Sequence, residues 1–281
     1  MNKKRSDGLA TLWDVLPEAR VFHYAVPHIN INNLEWAATV LKAANDTRTP
    51  IILGVSEGAA KYMHGYKTIH DMVCGIIEND NITVPVVLHL DHGSLEGCIK
   101  ALAGGFSSVM YDGSKKPFDI NLAESNDICG LAATKGASVE VECGGVGGSE
   151  DGVVSSGEKA DLTECMQMSG LPVACLAASV GSIHGVYPKD WKGLDFELLT
   201  EIADKTHGIP LVLHGGTGIP DDQIKRAISL GISKINVNTD CQIAFASATR
   251  KYIEKGYDKD ISKKGFDPRK LLKPGCEAIY K

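Results

Sequence analysis

Val84-Pro85-Val86-Val87-Leu88-His89-Leu90-Asp91-His92-Gly93 decides how this chain is read. The run is short, rich in valine and leucine, and bounded by proline and glycine, which marks a strand. Side chains of a strand alternate between two faces, so Leu88 and Leu90 share one face while His89 and Asp91 share the other. A polar pair facing inward, with leucines on the opposite side, suits a closed barrel whose outer surface is packed by helices. Similar runs lie at 21–26, 51–55, 106–110, 137–143, 173–178, 209–213 and 233–237, which with 84–90 makes eight. Between and after them, apolar residues recur at helical spacing over 33–45, 68–79, 94–104, 118–135, 158–169, 195–207, 220–230 and 239–255. Strict βα alternation implies parallel strands joined by helical crossovers, and eight units close an α/β (β/α)8 (TIM) barrel. An open doubly wound sheet is the alternative. Outside the repeat fall an N-terminal helix-like stretch, a long Gly-rich loop over 144–157 after the fifth strand, and a C-terminal tail from about 256.

The 281 residues are 43% hydrophobic and 23% charged, enough to build one large core. A barrel of this type needs roughly 250 residues, so a single domain over 1–281 is expected. Lys and Arg total 29 against 35 Asp and Glu, and a net charge of -6 argues against partners such as nucleic acid or an anionic membrane surface. No stretch reaches the ~20 apolar residues of a membrane span. The basic start is interrupted by Asp7 and Asp14 and followed by no small-residue cleavage site, so export is not expected. Eight scattered cysteines, none closer than ten residues to another, exclude a CxxC site and suit the cytoplasm.

In such barrels the loops after the strands converge on one mouth. The expected strand ends carry Asn30, Ser56, Asp91 with His92, Asp112, Glu142, His184, His214 and Asn236. Alternation turns Ser138, Glu140 and Glu142 inward on the fifth strand, and Asn236 and Asn238 share a face on the last. His92, His184 and His214 follow the third, sixth and seventh strands. Three imidazoles around one point match a zinc site with an open fourth position. The glycines of His214-Gly215-Gly216-Thr217-Gly218 and the helix start after Asn236-Val237-Asn238-Thr239 form two neighbouring loops of the kind that bind phosphate.

Six motifs, in order, resemble the class II fructose-bisphosphate aldolases: Leu88-His89-Leu90-Asp91-His92-Gly93, Val139-Glu140-Val141-Glu142, Gly147-Gly148-Ser149-Glu150-Asp151-Gly152, His184-Gly185-Val186-Tyr187, His214-Gly215-Gly216-Thr217-Gly218-Ile219 and Lys234-Ile235-Asn236-Val237-Asn238-Thr239. The likeness spans about Tyr24 to Ile279. It implies a zinc ion held by His92, His184 and His214, with Glu142 nearby. Asp91 would exchange the proton of the C4 hydroxyl and Glu150 that at C3. Asn236, Thr217 and the amides of Gly215 to Gly218 would contact the dihydroxyacetone phosphate half, with Asn30 and Ser56 in the sugar pocket. Carbonyls of Ile183 to Gly185 and of Gly215 would bind a monovalent cation, Na+ or K+. Arg269 would reach the far phosphate of a neighbouring subunit, which implies a homodimer or higher homo-oligomer. Zinc over the C2 and C3 oxygens would spread the charge left by cleavage, so no Schiff-base lysine is needed, and no expected strand end is lysine. The chain departs from the family pattern at His28, at Cys276 and in a shorter C-terminus.

The resulting expectation is reversible cleavage of fructose 1,6-bisphosphate into dihydroxyacetone phosphate and glyceraldehyde 3-phosphate. Tagatose 1,6-bisphosphate is the rival substrate, for which relatives tend to carry a small apolar residue where Asn238 stands. A zinc hydrolase and a barrel that only binds are the competing classes.

Overall fold

The computed structural model describes residues 5–150 and 153–281, with the side chains of all of these except 149, 150 and 153–155. The elements run α1 (Leu12–Phe22), β1 (Val26–Asn30), α2 (Leu34–Thr47), β2 (Ile51–Val55), α3 (Glu57–Tyr62), α4 (Tyr66–Asn79), β3 (Val86–Gly93), α5 (Leu95–Ala103), β4 (Ser108–Tyr111) and α6 (Phe118–Thr134). They continue with β5 (Ser138–Cys143), β6 (Gly147–Glu150), β7 (Val153–Ser155), α7 (Leu162–Met168), β8 (Cys175–Ala178), β9 (Ile183–His184), α8 (Phe196–Lys205), β10 (Leu211–Leu213), α9 (Asp221–Ser229), β11 (Ile232–Val237) and α10 (Thr239–Glu254). A 3-10 turn (Tyr257–Lys259), α11 (Pro268–Leu271) and α12 (Lys273–Tyr280) complete the chain. Strands β1, β11, β10, β8, β5, β4, β3 and β2 form, in that order, a closed parallel barrel. This is the expected (β/α)8 architecture.

Alternation on β3 works as read. Leu88 and Leu90 join the layer between barrel and helices, while Val87 packs inside with Val26, Ile52, Met110 and Val212. Helix α1 closes that end of the barrel. Its Leu12, Val15, Leu16 and Ala19 recur at helical spacing and join the inner cluster. Burying Leu12 and Leu16 fully is worth about 1.5–3 kcal/mol each.

The expected strand at 21–26 is wrong. Val21 and Phe22 end α1, exposed to solvent, and the chain reverses at His23 (φ 54°) before β1 begins at Val26. Local β-propensity loses here to the apolar stripe of α1 and to its start, where the Asp14 carboxylate accepts from Thr11 N and Oγ1, both at 2.7 Å. Helix α3 was not anticipated, and the helix expected from 158 begins only at Leu162, capped by Asp161. The segment read as a loop over 144–157 contains β6 and β7, paired antiparallel, and β6 also pairs in parallel with β9. The C-terminal tail returns to the barrel wall: α12 packs on α10 and α2, and Gly275 lies against Phe245, which stacks on Trp36 at 5.1 Å.

Candidate active site

Strand β3 delivers two consecutive residues to the mouth, which regular alternation forbids. His92 adopts a left-handed φ of 47°, and the β3–β4 register shifts between Leu90 and Gly93. This kink lets Asp91 stay inside the barrel while His92 turns towards the other histidines. His184 arrives on β9, held by the β6 pairing of Gly148 with His184, and His214 follows β10 directly. A side chain at Gly148 would strike His184 O at 2.1 Å, so the glycine permits this close approach.

The three imidazoles expected to converge do so, with ring centroids 5.0 Å (His92 to His184), 4.6 Å (His92 to His214) and 5.8 Å (His184 to His214) apart. Their nitrogens form a donor set within 4.8 Å. His92 Nδ1 lies 2.8 Å from Asp112 Oδ2, and His214 Nε2 lies 3.0 Å from Glu140 Oε1. Those carboxylates take the N–H of each ring, which leaves His92 Nε2 and His214 Nδ1 facing one another at 2.9 Å. Two lone pairs so placed require a cation or a proton between them. Charge tells the same story. Burial works against a proton on His92, yet the Asp112 hydrogen bond and the Glu142 and Asp91 charges hold its pKa well above the ordinary value. The cluster therefore has the negative surplus and the donor types that fit a divalent metal.

Glu142, expected near the metal, sits on the other side of His92: its Oε2 is 3.5 Å from Nδ1 and its Oε1 accepts from Val146 N at 3.2 Å. Burial, reinforced by the Asp112 carboxylate, pushes its pKa well above the usual range. With His92 and Asp112 it makes a second possible donor set.

Asp91 is 1% exposed. Its Oδ2 accepts from Asn30 Nδ2 at 2.9 Å and its Oδ1 from Asn236 Nδ2 at 3.2 Å. Burial opposes ionisation, but His28, His92, His214 and Lys234 hold its pKa well below the ordinary carboxylate value. Asn236 is in turn fixed by Lys234, whose Nζ donates to its Oδ1 at 2.9 Å and pairs with Glu140 Oε2 at 2.9 Å. Lys234 is fully buried inside the barrel.

Two adjoining cavities open at the mouth. The larger, about 1090 Å3, is lined by Asp91, His92, Asp112, Glu142, His184 and Ser56 among others. The smaller, about 90 Å3, brings together Asn30, Ser56, Thr217, Asn236 and Asn238, with Gly185, Gly215 and Thr239 completing its wall. Thr217 Oγ1 accepts from Asp240 N at 3.3 Å at the start of α10, Gly216 N donates to Asn236 O at 2.9 Å, and Gly215 (φ 66°) leaves room for Ile183 O, 2.1 Å from where its Cβ would be. Ser56 caps α3 through Ala59 N. Asn238 precedes α10 without capping it through its side chain, and its Oδ1 is buried with no hydrogen-bond partner among the described residues.

Glu150 ends β6, and its side chain lies outside the described residues. Arg269 is not brought to this point. The Arg269 side chain is 89% exposed on α11 and paired with Asp267. Conversely, alternation marks Glu140 as inward without giving it a role, and Asp112 as a strand end only. Their importance comes from the rings they touch.

The family model for fructose-bisphosphate aldolase class-II matches residues 10–281. The chain is 55% identical over 265 residues to a fructose-bisphosphate aldolase of Mycoplasma genitalium, covering 94% of this chain and 92% of that one. It is 46% identical over 267 residues to that of Streptococcus pneumoniae, covering 93% and 90%. Among solved structures, the fructose-bisphosphate aldolase of Campylobacter jejuni superposes with a TM-score of 0.77 at 26% identity, covering 97% of this chain and 92% of that one. The YdjI aldolase of Escherichia coli K12 gives 0.78 at 27%, covering 97% and 93%. The barrel, its three-histidine cluster and these matches along nearly the whole length agree: the chain belongs to the metal-dependent class II fructose-bisphosphate aldolase family.

Proposed function

We infer that the chain catalyses reversible cleavage of fructose 1,6-bisphosphate to dihydroxyacetone phosphate and glyceraldehyde 3-phosphate. The observation that carries this reading is a buried Asp91, held by two amides, beside three converging histidines. His92, His184 and His214 would hold Zn2+, which when bound supplies a Lewis acid that polarises the substrate's C2 carbonyl. Glu142, whose Oε2 lies 3.5 Å from His92 Nδ1, would add its charge to that site.

The chain's own groups account for the rest. Asp91, whose surroundings favour the carboxylate, takes the C4 hydroxyl proton in cleavage and returns it in condensation. Glu150 handles the C3 proton. The start of the sixteen-residue α10 and the Gly215–Gly218 turn present amides and a positive helix end to the phosphate of the three-carbon half. Asn30, Ser56, Asn236, Asn238 and Thr239 bond the sugar or that phosphate, and carbonyls from Ile183 to Gly185 with Gly215 take Na+ or K+. The larger cavity takes the aldehyde half, completed by Arg269 from a second copy in a homodimer or larger assembly. Eight free thiols suit the reducing cytoplasm. The names of the relatives favour fructose over tagatose bisphosphate. Assay of both epimers, with and without a chelator, tests the reading. Cleavage of neither, or cleavage indifferent to chelation, defeats it.

A further inference from the structure

Beneath the three-histidine cluster the barrel encloses polar side chains that the proposed reaction does not use. His28 on β1 and His89 on β3 are completely buried, and their rings meet edge to face with centroids 5.5 Å apart. His89 Nδ1 is anchored 2.8 Å from Ser108 Oγ. Among the described residues, neither ring nitrogen of His28 has a hydrogen-bond partner. Its Nε2 instead faces Asp91 Oδ2 at 3.7 Å, longer than a hydrogen bond. Burying an imidazole on such terms is unfavourable, and a leucine would stabilise a barrel interior more.

The neighbouring strand is shaped around this ring. Gly54 on β2 pairs with Asn30, and a Cβ at Gly54 would lie 1.7 Å from His28 Nε2. The backbone at Gly54 is not left-handed, so its glycine is required by space alone. Asp91 is thus contacted from three sides: Asn30 at Oδ2, Asn236 at Oδ1, and His28 on β1 at Oδ2. We infer that His28 is a positioning residue for Asp91, seated over Gly54 so that its ring braces the carboxylate towards the mouth. This inference rests on the role proposed for Asp91. A metal ion among His28, His89 and Asp91, whose donor atoms lie within 4.8 Å, is opposed by the complete burial of both rings and then by the nearby Lys234 charge.

The test compares His28→Leu, His28→Gln, Gly54→Ala and the double variant His28→Ala/Gly54→Ala, with Asp91→Ala as reference. For each, kcat and KM for cleavage are measured alongside zinc content, thermal unfolding and exchange of the C3 proton of dihydroxyacetone phosphate, a step that does not involve the C4 hydroxyl. His28→Leu should lower kcat on the order of 10- to 100-fold, as displacement of a reacting group by about 1 Å does. KM, zinc content and C3 exchange should stay near wild type, and His28→Gln should recover much of the loss. Gly54→Ala keeps the histidine but displaces it, so it should reproduce the loss. If crowding prevents Gly54→Ala from folding, the double variant relieves the clash and should still show the low kcat. Cleavage within about twofold of wild type in His28→Leu overturns the inference, as does a parallel fall in cleavage and C3 exchange or a loss of zinc. Undiminished cleavage by Asp91→Ala overturns the role of Asp91 and this inference with it. Loss in Asp91→Ala with normal His28→Leu overturns this inference alone.

Discussion

Glu140 Oε1 lies 3.0 Å from His214 Nε2, and both side chains are almost completely buried. This contact settles which nitrogen of His214 is left for a metal. The carboxylate takes the Nε2 hydrogen and leaves Nδ1 as a lone pair facing His92. Glu140 also neutralises Lys234, and that ammonium, with nearby His214, keeps its pKa well below the ordinary value against the opposing effect of burial.

Removing Glu140 should therefore act twice. Glu140→Ala should weaken zinc binding by about 10- to 100-fold and, by stranding the Lys234 ammonium, destabilise the fold by about 3–5 kcal/mol. Adding Lys234→Met should restore much of the stability but not the metal affinity. Urea unfolding and metal titration separate the two effects, and equal recovery of both would show that Glu140 has no special hold on His214.

One zinc per chain is expected to depend on all three imidazoles. His184→Ala removes the member supplied by β9 rather than by the barrel, and should yield protein with a normal circular dichroism spectrum and little bound metal. Elemental analysis decides, and full zinc occupancy in the variant would remove His184 from the site.

Asp91→Ala should separate chemistry from metal binding. Its carboxylate bonds Asn30 and Asn236 and is not a member of the three-imidazole set, so zinc content should hold while kcat falls by on the order of 10²-fold or more. Near-normal turnover with zinc bound would show that another group takes the C4 proton.

Asn238 offers a handle on substrate choice. Its Oδ1 is buried against the smaller cavity with no hydrogen-bond partner among the described residues, and its side chain makes no capping bond to α10. Asn238→Ala should leave thermal stability nearly unchanged. It should also narrow the preference for fructose over tagatose bisphosphate, since an unpaired buried group is worth roughly 1–3 kcal/mol. A fall in Tm with an unchanged epimer ratio would instead make Asn238 a helix cap.

Arg269 points to assembly. Among the described residues its guanidinium meets the Asp267 side chain alone, so a part in catalysis requires a second copy. Sedimentation should show at least a dimer, and Arg269→Ala should raise KM for the bisphosphate far more than for dihydroxyacetone phosphate in condensation. A fully active monomer would rule out the shared site.

The eightfold βα order pointed to the barrel, with an open doubly wound sheet as the alternative, and the two-residue period of a strand assigned Leu88, His89, Leu90 and Asp91 to faces before any tertiary contact exists. The same periodicity named inward Glu140 and Asn236, and strand-end position named His92, His184 and His214. Val21 and Phe22 misled for a related reason: their local β-preference was overruled by the distant surface that Leu12 and Leu16 cover. Only the folded chain could show that a left-handed His92 breaks the alternation to bring two neighbours to one mouth, or that β9 pairs with β6 to deliver His184. Only it could place Lys234 between Glu140 and Asn236, residues separated by 94 positions along the chain on one side and two on the other. Periodicity reports which face a residue occupies, whereas the partner across the barrel, and hence which ring nitrogen is left open and which carboxylate stays ionised, depends on how the sheet closes.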